Sequence, residues 1–207
     1  MTAGINEDLA KLNSIIKLHK PITLFGSARL NADSPYYNEA KRLACKCVEA
    51  GFCVISGGGG GIMAAANEGA KLGAANLHLS EKDKKQKSIG FNIYLPFEQK
   101  SNDFIDYNIT FENLAIRKMA LIDKSLAFVV FPGGFGTLDE FLEILTLKQL
   151  GFKNVPIFAF GSEFWRGFDE FIKNSLLAQK LISQGDEALY TLSDDIEFVL
   201  KSLKESL

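Results

Sequence analysis

The ten residues 131–140 combine a glycine-rich turn that can bind an anion with a nearby carboxylate that can assist chemistry. They read Phe-Pro-Gly-Gly-Phe-Gly-Thr-Leu-Asp-Glu, and the apolar run before them, 126–131, is typical of a buried strand. The apolar-rich run after them, 138–150, favours a helix. A strand, a glycine-rich turn and a helix N-terminus leave backbone N–H groups free for a phosphate, and the helix dipole favours negative charge there. The stretch therefore predicts a phosphate site, with Thr137 as helix cap and hydroxyl donor.

Thr137 and Glu140 also fit a capping box, in which the Glu140 side chain only bonds back to the Thr137 N–H. Such boxes are common, but a cap does not need the clearance that Gly133, Gly134 and Gly136 provide directly before it. At this point the structural and the ligand-binding interpretations of Glu140 both remain open.

Arg117 is the second residue whose setting indicates chemistry. It lies in a predicted helix over 111–124 whose apolar residues form two stripes, which predicts burial on both sides. A guanidinium among apolar neighbours needs an anionic partner. An arginine that reaches solvent or makes a purely structural ion pair fits the same spacing.

Five consecutive glycines, 57–61, follow a second predicted strand. Tight packing explains one or two of them, and the others predict backbone exposed to a ligand. Gly59-x-Gly61-x-x-Ala64 satisfies a relaxed dinucleotide fingerprint, but it follows the second strand rather than the first, which disfavours NAD. The chain lacks a G-x-x-x-x-G-K-[ST] motif, which excludes a P-loop phosphotransferase.

The bulk properties predict one globular domain over residues 1–207. Hydrophobic residues make up 47% of the chain, and its net charge of −2 gives no general attraction to nucleic acid or to an anionic membrane. No apolar run has the length of a membrane span and no signal-peptide pattern begins the chain, so a cytoplasmic location is expected. The three cysteines and two histidines do not have the spacing of a metal site.

Alternating strands and helices predict a Rossmann-like, doubly wound α/β fold with a parallel sheet and helices on both faces. An N-terminal helix, 6–19, capped by Asn6, is expected to pack on this domain, and the charged segment 76–87 is expected to be a solvated loop or, less simply, a basic phosphate-binding patch. The predicted strands are 22–25, 52–55, 88–93, 126–131, 155–160 and 189–192. The remaining predicted helices are 35–50, 62–72, 111–124, 138–150, 164–181 and a last one to 205 capped by Asp194. Because ligands bind beyond the carboxyl ends of such strands, the glycine turns at 26, 57 and 133 are expected to share one site.

The nine residues Pro132-Gly133-Gly134-Phe135-Gly136-Thr137-Leu138-Asp139-Glu140 match the P-G-G-x-G-T-x-x-E signature of the "Lonely Guy" (LOG) family. Four further pieces occur in the family's order: Leu24-Phe-Gly-Ser-Ala-Arg29, Pro35-Tyr-Tyr37, Ser56-Gly-Gly-Gly-Gly-Gly-Ile-Met63 and Arg117-Lys118. The chain thus resembles this family of cytokinin riboside 5′-monophosphate phosphoribohydrolases, some members of which have been misnamed lysine decarboxylases. It departs from the usual pattern at Gly60, where many relatives have proline.

The resemblance implies hydrolysis of the N-glycosidic bond of a purine-type nucleoside 5′-monophosphate, with no metal and no organic cofactor. It implies Arg117 and Glu140 as catalytic residues. The implied substrate-binding residues are Gly26, Ser27, Gly58, Gly59, Gly61, Met63, Lys118, Pro132, Gly133, Gly134, Phe135, Gly136 and Thr137. A non-catalytic nucleotide or molybdenum-cofactor carrier, an amino-acid decarboxylase and an NAD-dependent oxidoreductase are the alternatives.

A homodimer or larger homo-oligomer is also expected. The predicted helix 138–150 carries apolar residues around much of its circumference, and one sheet face cannot bury them all. These residues are Leu138, Phe141, Leu142, Ile144, Leu145, Leu147 and Leu150.

Overall fold

Strands and helices alternate along the chain in a computed structural model, which describes residues 4–84, 86–95 and 100–207. The strands are β1 (Pro21–Phe25), β2 (Cys53–Ser56), β3 (Ser88–Ile93), β4 (Tyr107–Phe111), β5 (Ala127–Val130), β6 (Ile157–Phe160) and β7 (Thr191–Ser193). The α-helices are α1 (Ile5–Ser14), α2 (Pro35–Glu49), α3 (Ile62–Asn76), α4 (Glu81–Lys84), α5 (Leu114–Asp123), α6 (Phe135–Gln149), α7 (Ser162–Phe171) and α8 (Ile196–Ser206). A π-helical segment, Ile172–Leu177, continues α7, and a 3-10 turn, Asp186–Ala188, precedes β7.

The seven strands form one parallel sheet in the order β4-β3-β2-β1-β5-β6-β7. The chain builds outward from β1 to β4, then returns to the other side of β1 with β5. The strand order therefore reverses between β1 and β5, where an α/β sheet opens a crevice for a ligand. The predicted Rossmann-like, doubly wound fold is confirmed.

Helices cover both faces of the sheet, which explains why its central strands are buried and mostly apolar along their whole length rather than alternating. On one face, strand residues such as Leu24 and Val54 pack with α2, α3 and α8. On the other face, Phe25 and Ile55 pack with α5, α6 and α7, and α1 adds partly buried side chains there. The central strands are thus fixed from both sides, and so are the loops at their carboxyl ends.

The strand β4 was not predicted, and the helix expected over 111–124 begins only at Leu114. Tyr107, Ile109 and Phe111 alternate as a strand requires, but the Asn and Asp residues between and before them resemble a loop. Asn113 caps the helix, since its side-chain oxygen accepts hydrogen bonds from the N–H groups of the second and third helical residues.

The helix expected over 138–150 begins at Phe135, so the prediction of Thr137 as its cap is wrong. Gly134 occupies the N-cap position and Thr137 lies inside the first turn. Glycine is tolerated at an N-cap, and this start places the glycine-rich turn partly within the helix rather than before it.

Other boundaries differ by a few residues. The first helix begins after Gly4 rather than Asn6 and ends at Ser14, while α3 extends to Asn76. The last helix is capped by Asp195, because Asp194 instead accepts hydrogen bonds from Ser162 at the start of α7. The charged segment 76–87 contains the short helix α4, and the position at 85 lies outside the described residues. Among the helices described here, none is long and apolar enough to cross a membrane.

Candidate functional site

A cavity of about 650 Å³ opens at the crevice between β1 and β5. Its walls come from the loops after β1 and β2, from the end of β3, from α3 and α5, and from the first two turns of α6. Ser27 N donates to Pro132 O at 3.0 Å and so joins the loops on the two sides of the crevice. The lining residues are Gly26, Ser27, Ala28, Arg29, Gly57, Met63, Asn92, Ile93, Arg117, Gly134, Phe135, Gly136, Thr137 and Glu140.

Arg117 and Glu140 form a buried ion pair in the wall of this cavity. Arg117 Nη1 donates to Glu140 Oε1 at 2.6 Å, and the two side chains are only 9% and 12% exposed. Arg117 Nε also donates to the carbonyl oxygen of Phe91 at 2.9 Å, which fixes the plane of the guanidinium. The Glu140 side chain therefore bonds to Arg117, and the capping-box interpretation of this residue is wrong.

The electrostatic setting of Glu140 combines two opposing influences. Burial disfavours the charged carboxylate and raises its pKa, the neighbouring Asp139 carboxylate acts in the same direction, and Arg117 lowers it. Burial prevails, so the pKa of Glu140 lies above that of an ordinary glutamate. A carboxylate of this kind can accept a proton more readily than one in water, and it can stabilise positive charge that develops beside it.

The N-terminus of α6 lines one part of the cavity and has the features that suit an anion. The first bond within this helix runs from Leu138 N to Gly134 O at 3.0 Å, so the N–H groups of residues 135–137 precede the helical hydrogen-bond ladder. Gly134 and Gly136 face open space, because a Cβ added at either would meet nothing within 4 Å. The dipole of α6 and these N–H groups favour a phosphate in that space.

The five-glycine loop after β2 is packed mainly against protein. A Cβ at Gly57 would lie 2.1 Å from Arg117 Nη2, and a Cβ at Gly58 would lie 2.3 Å from the nearer polar atom of the Asn92 side-chain amide. Gly61 has φ +61° and would meet the carbonyl oxygen of Ser27 at 2.2 Å. Protein contacts thus account for at least three of the five glycines, more than the one or two expected.

A buried network of polar side chains holds this loop on the side that faces the core. Ser56 Oγ accepts from Gly58 N at 3.0 Å and donates to Asn67 Oδ1 at 2.6 Å. Asn102 donates through its amide to the carbonyl oxygens of Gly58 and Gly59, at 3.2 and 3.0 Å. These bonds take up loop carbonyls that would otherwise be unpaired near the core.

Asn92 supports the same loop from the cavity side. In the amide orientation that satisfies both of its polar atoms, the nitrogen donates to the carbonyl oxygens of Gly57 and Gly58 at 3.2 Å each. Asn92, Asn67 and Asn102 were not among the predicted site residues. The Ser and Asn residues at 56, 67, 92 and 102 can be recognised as supports of one loop only when the strand order is known.

Nine of the residues implied by the family resemblance line the cavity: Gly26, Ser27, Met63, Arg117, Gly134, Phe135, Gly136, Thr137 and Glu140. The other six lie outside its lining: Gly58, Gly59, Gly61, Lys118, Pro132 and Gly133. Lys118 points along the outside of α6, where its Nζ lies 3.0 Å from Asp139 Oδ2 and 2.9 Å from Glu143 Oε2. Gly133 is required by Thr137, whose Oγ1 would lie 2.1 Å from an added Cβ.

Arg29 lines the cavity and was not among the predicted site residues. Its side chain is exposed at the rim, and it makes no ion pair with any carboxylate in the described part of the chain. It adds a positive charge close to the α6 N-terminus. Within residues 4–84, 86–95 and 100–207, no cluster of three or more His, Cys, Asp or Glu side chains could hold a metal ion.

The fold and the cavity define a Rossmann-like α/β protein with a cavity at the switch point of its sheet. The family described as "Possible lysine decarboxylase" matches residues 63–203. The chain belongs to this family, which confirms the resemblance to the LOG proteins.

Two relatives share the same named activity. The cytokinin riboside 5′-monophosphate phosphoribohydrolase LOG2 of Arabidopsis thaliana is 28% identical over 143 residues, which are 66% of this chain and 60% of that protein. The cytokinin riboside 5′-monophosphate phosphoribohydrolase of Rhodococcoides fascians is 28% identical over 89 residues, 42% of this chain and 44% of that protein. The match thus spans less than two thirds of the length of either relative. At the level of the family, these relatives are phosphoribohydrolases.

Solved structures with the same fold include proteins of another kind. The molybdenum cofactor binding protein of Rippkaea orientalis superposes with a TM-score of 0.59 at 20% identity, over 93% of this chain and 98% of that one. The molybdenum cofactor carrier protein of Chlamydomonas reinhardtii gives 0.61 at 20% identity, over 89% and 96%. At such identities the likeness establishes the fold alone.

Proposed function

We propose that this protein is a nucleoside 5′-monophosphate phosphoribohydrolase that releases a purine-type base and ribose 5-phosphate. The observation that carries the proposal is the Arg117–Glu140 pair, 2.6 Å apart and buried in the wall of a cavity that also contains the α6 N-terminus. This arrangement places one carboxylate beside a site suited to a phosphate, as a nucleotide N-glycosidase requires.

The reaction adds water across the bond between C1′ of the ribose and a nitrogen of the base. As that bond breaks, the base leaves and positive charge develops on the ribose ring, as in other glycosyl transfers. The Glu140 carboxylate stabilises this charge and takes a proton from the attacking water, whose oxygen forms the new bond to C1′. The departing base nitrogen receives a proton from solvent, and Glu140 afterwards releases to solvent the proton that it took from the water, so that the products are the free base and ribose 5-phosphate.

The 5′-phosphate binds at the first turn of α6, in the open space beside Gly134 and Gly136. Arg117 acts on Glu140 rather than on the phosphate, because its Nη1 and Nε are already engaged by Glu140 and by the carbonyl oxygen of Phe91. Arg29 at the rim supplies a further charge for the phosphate.

The test is a product assay on purified protein with purine nucleoside 5′-monophosphates, cytokinin riboside 5′-monophosphates and the matching nucleosides. Free base is expected from at least one monophosphate and not from its nucleoside. Equal rates on a nucleoside and its monophosphate would refute the phosphate anchor.

Glu140→Gln is the decisive variant, because it keeps a hydrogen-bond acceptor for Arg117 and removes the charge. Turnover is expected to fall about a hundredfold or more, as when one electrostatic group is lost from an active site. Glu143→Gln is the matched control, since Glu143 lies on the same helix but pairs with Lys118 outside the cavity lining. Near-normal turnover of Glu140→Gln, or an equal loss in both variants, would remove Glu140 from the mechanism.

The homodimer stays a prediction. In the single chain, Phe141, Ile144 and Leu145 of α6 are buried, whereas Leu142 and Leu150 are 47% and 62% exposed. A dimer needs to cover only the exposed part of this helix. Light scattering at micromolar concentration is expected to give twice the chain mass or more, and a monomer mass would contradict the prediction.

A further inference from the structure

Asp8 is a fully buried carboxylate in α1, a helix that lies before the segment matched by the family, residues 63–203. Its Oδ2 accepts hydrogen bonds from two successive backbone N–H groups, Glu112 N at 2.8 Å and Asn113 N at 2.7 Å. Its Oδ1 accepts from Lys11 Nζ at 2.9 Å. Every one of these contacts fits an ionised carboxylate.

Lys11 contacts the same segment from the next turn of α1. Its Nζ also donates to the carbonyl oxygen of Thr110 at 2.9 Å. Asp8 and Lys11 therefore hold residues 110–113, which connect the end of β4 to the start of α5. This contact joins two parts of the chain about a hundred positions apart, as sequence separations of 99 to 105 show.

The segment held by Asp8 determines where α5 begins, and Arg117 is the fourth residue of that helix. Asn113, whose N–H is bound by Asp8, caps α5 through its side chain. Its carbonyl oxygen accepts the first helical hydrogen bond from Arg117 N at 3.0 Å. Two successive hydrogen-bonded steps thus lead from the Asp8 carboxylate to the backbone of Arg117.

Burying a carboxylate is unfavourable unless hydrogen bonds replace its water. Burial alone would raise the pKa of Asp8, but the bonds from Lys11 and from the N–H groups of Asn113 and Glu112 outweigh it and leave this pKa below its usual value. The carboxylate is therefore a stable anion whose direction is fixed by three donors.

We propose that Asp8 is a positioning residue for Arg117, which holds the start of α5 so that the guanidinium meets Glu140 in the cavity wall. This inference rests on the proposed function for its effect on turnover. Its effect on the start of α5 is independent of any activity. Asp8 touches neither the cavity nor the substrate, so it acts through the backbone of residues 112 and 113.

The test compares Asp8→Ala with the double variant Asp8→Asn/Lys11→Met. Alanine removes every acceptor. Asparagine keeps one oxygen for the two N–H groups, and methionine at position 11 removes the ammonium that would oppose the asparagine amide. Turnover and KM are measured on the active nucleotide, and backbone amide hydrogen exchange is measured over residues 112–117.

Asp8→Ala is expected to lower kcat about tenfold, since small displacements of a catalytic group cost one to two orders of magnitude. KM should stay within about twofold, because no substrate contact changes. Amide exchange over residues 112–117 should accelerate about tenfold or more as the start of α5 opens more often. Lys11→Met alone is the reference for the double variant, because both lose the bond from Lys11 Nζ to the Thr110 carbonyl oxygen. The double variant should recover kcat and protection to the level of Lys11→Met.

Tyr190→Phe is the control for a merely structural effect. It removes a hydrogen bond from the Tyr190 hydroxyl to Asp169 Oδ1 at 2.9 Å, away from the cavity lining. It should lower stability without lowering kcat. A normal kcat in Asp8→Ala, unchanged exchange over 112–117, or a double variant that stays well below Lys11→Met in kcat and protection would overturn the proposal. If the wild type releases no base from any nucleotide, the proposed function fails, while the exchange measurement still decides whether Asp8 holds α5.

Discussion

The loop 57–61 and the turn 132–137 are both glycine-rich, and both lie at the carboxyl edge of the sheet, but their glycines make room for different things. In the first loop, the space beside Gly57, Gly58 and Gly61 is filled by Arg117, Asn92 and the Ser27 backbone. In the second, the space beside Gly134 and Gly136 is open and belongs to the cavity. The first loop therefore shapes the protein around the site, and the second exposes backbone to a ligand.

The difference shows that a glycine in a sequence indicates a close contact but does not reveal whether protein or ligand makes that contact. The residue that requires Gly57 comes from a helix 60 positions later in the chain, so only the folded structure reveals it. The two loops nevertheless support the same ion pair. Gly57 packs against Arg117, and the helix after the second loop carries Glu140.

Gly57→Ala is expected to have the largest effect, because the added Cβ would lie 2.1 Å from Arg117 Nη2. The guanidinium must move, which breaks its alignment with Glu140, and kcat is expected to fall about a hundredfold or more. Overpacking at this buried position should also destabilise the fold by about 1–3 kcal/mol. Steady-state kinetics together with thermal melting check both effects, and wild-type kcat in a folded variant would show that the Arg117 position does not matter.

Gly136→Ala is the matching change in the second loop, and the opposite pattern is expected. The added methyl group meets no protein atom within 4 Å, and alanine is favoured over glycine in a helix by about 1 kcal/mol, so stability should rise. The methyl group enters the space assigned to the phosphate, and a steric cost of about 1–3 kcal/mol there raises KM for the monophosphate about fivefold or more. A raised melting temperature with unchanged KM would mean that the open space is not the phosphate site.

Asp139→Asn tests how the negative charge next to Glu140 affects the pKa of that residue. The reaction needs ionised Glu140, so kcat should rise with pH through the pKa of this residue, which burial places above the ordinary value. The Asp139 carboxylate also raises the pKa of Glu140, so its neutralisation should lower that pKa and move the acid limb of the pH profile to lower pH. If the acid limb of the kcat–pH profile stays in place or moves to higher pH in this variant, the limb reports the titration of a group other than Glu140.

Much of this arrangement was predictable because it depends on local patterns. Apolar runs identified strands such as 88–93, and the P-G-G-x-G-T-x-x-E signature brought Glu140 and the α6 N-terminus together. Lys118 does not line the cavity although its neighbour Arg117 does, because successive residues of a helix point about 100° apart. Asn92, Asn102 and Asp8 could not be recognised, because their partners lie on segments that only the folded sheet brings close.

Gly60→Ala is expected to have the smallest effect, and it separates the glycines within the first loop. A Cβ at Gly60 would lie 3.4 Å from the carbonyl oxygen of Ala28, an ordinary contact, and Gly60 is not among the glycines with positive φ. Alanine restricts the unfolded chain more than glycine does, so the fold should gain about 0.4–1 kcal/mol. For a chain of this size that corresponds to a melting temperature about 1–4 °C higher. Because Gly60 does not itself line the cavity, and its added Cβ would meet only the Ala28 backbone and no atom of Arg117, kcat and KM should stay within about twofold of the wild type. Differential scanning calorimetry and steady-state kinetics on Gly57→Ala and Gly60→Ala, side by side, then assign the activity loss of the former to Arg117 rather than to a stiffer loop. Similar losses in both variants would mean that the whole loop, and not the space beside Gly57, controls the site.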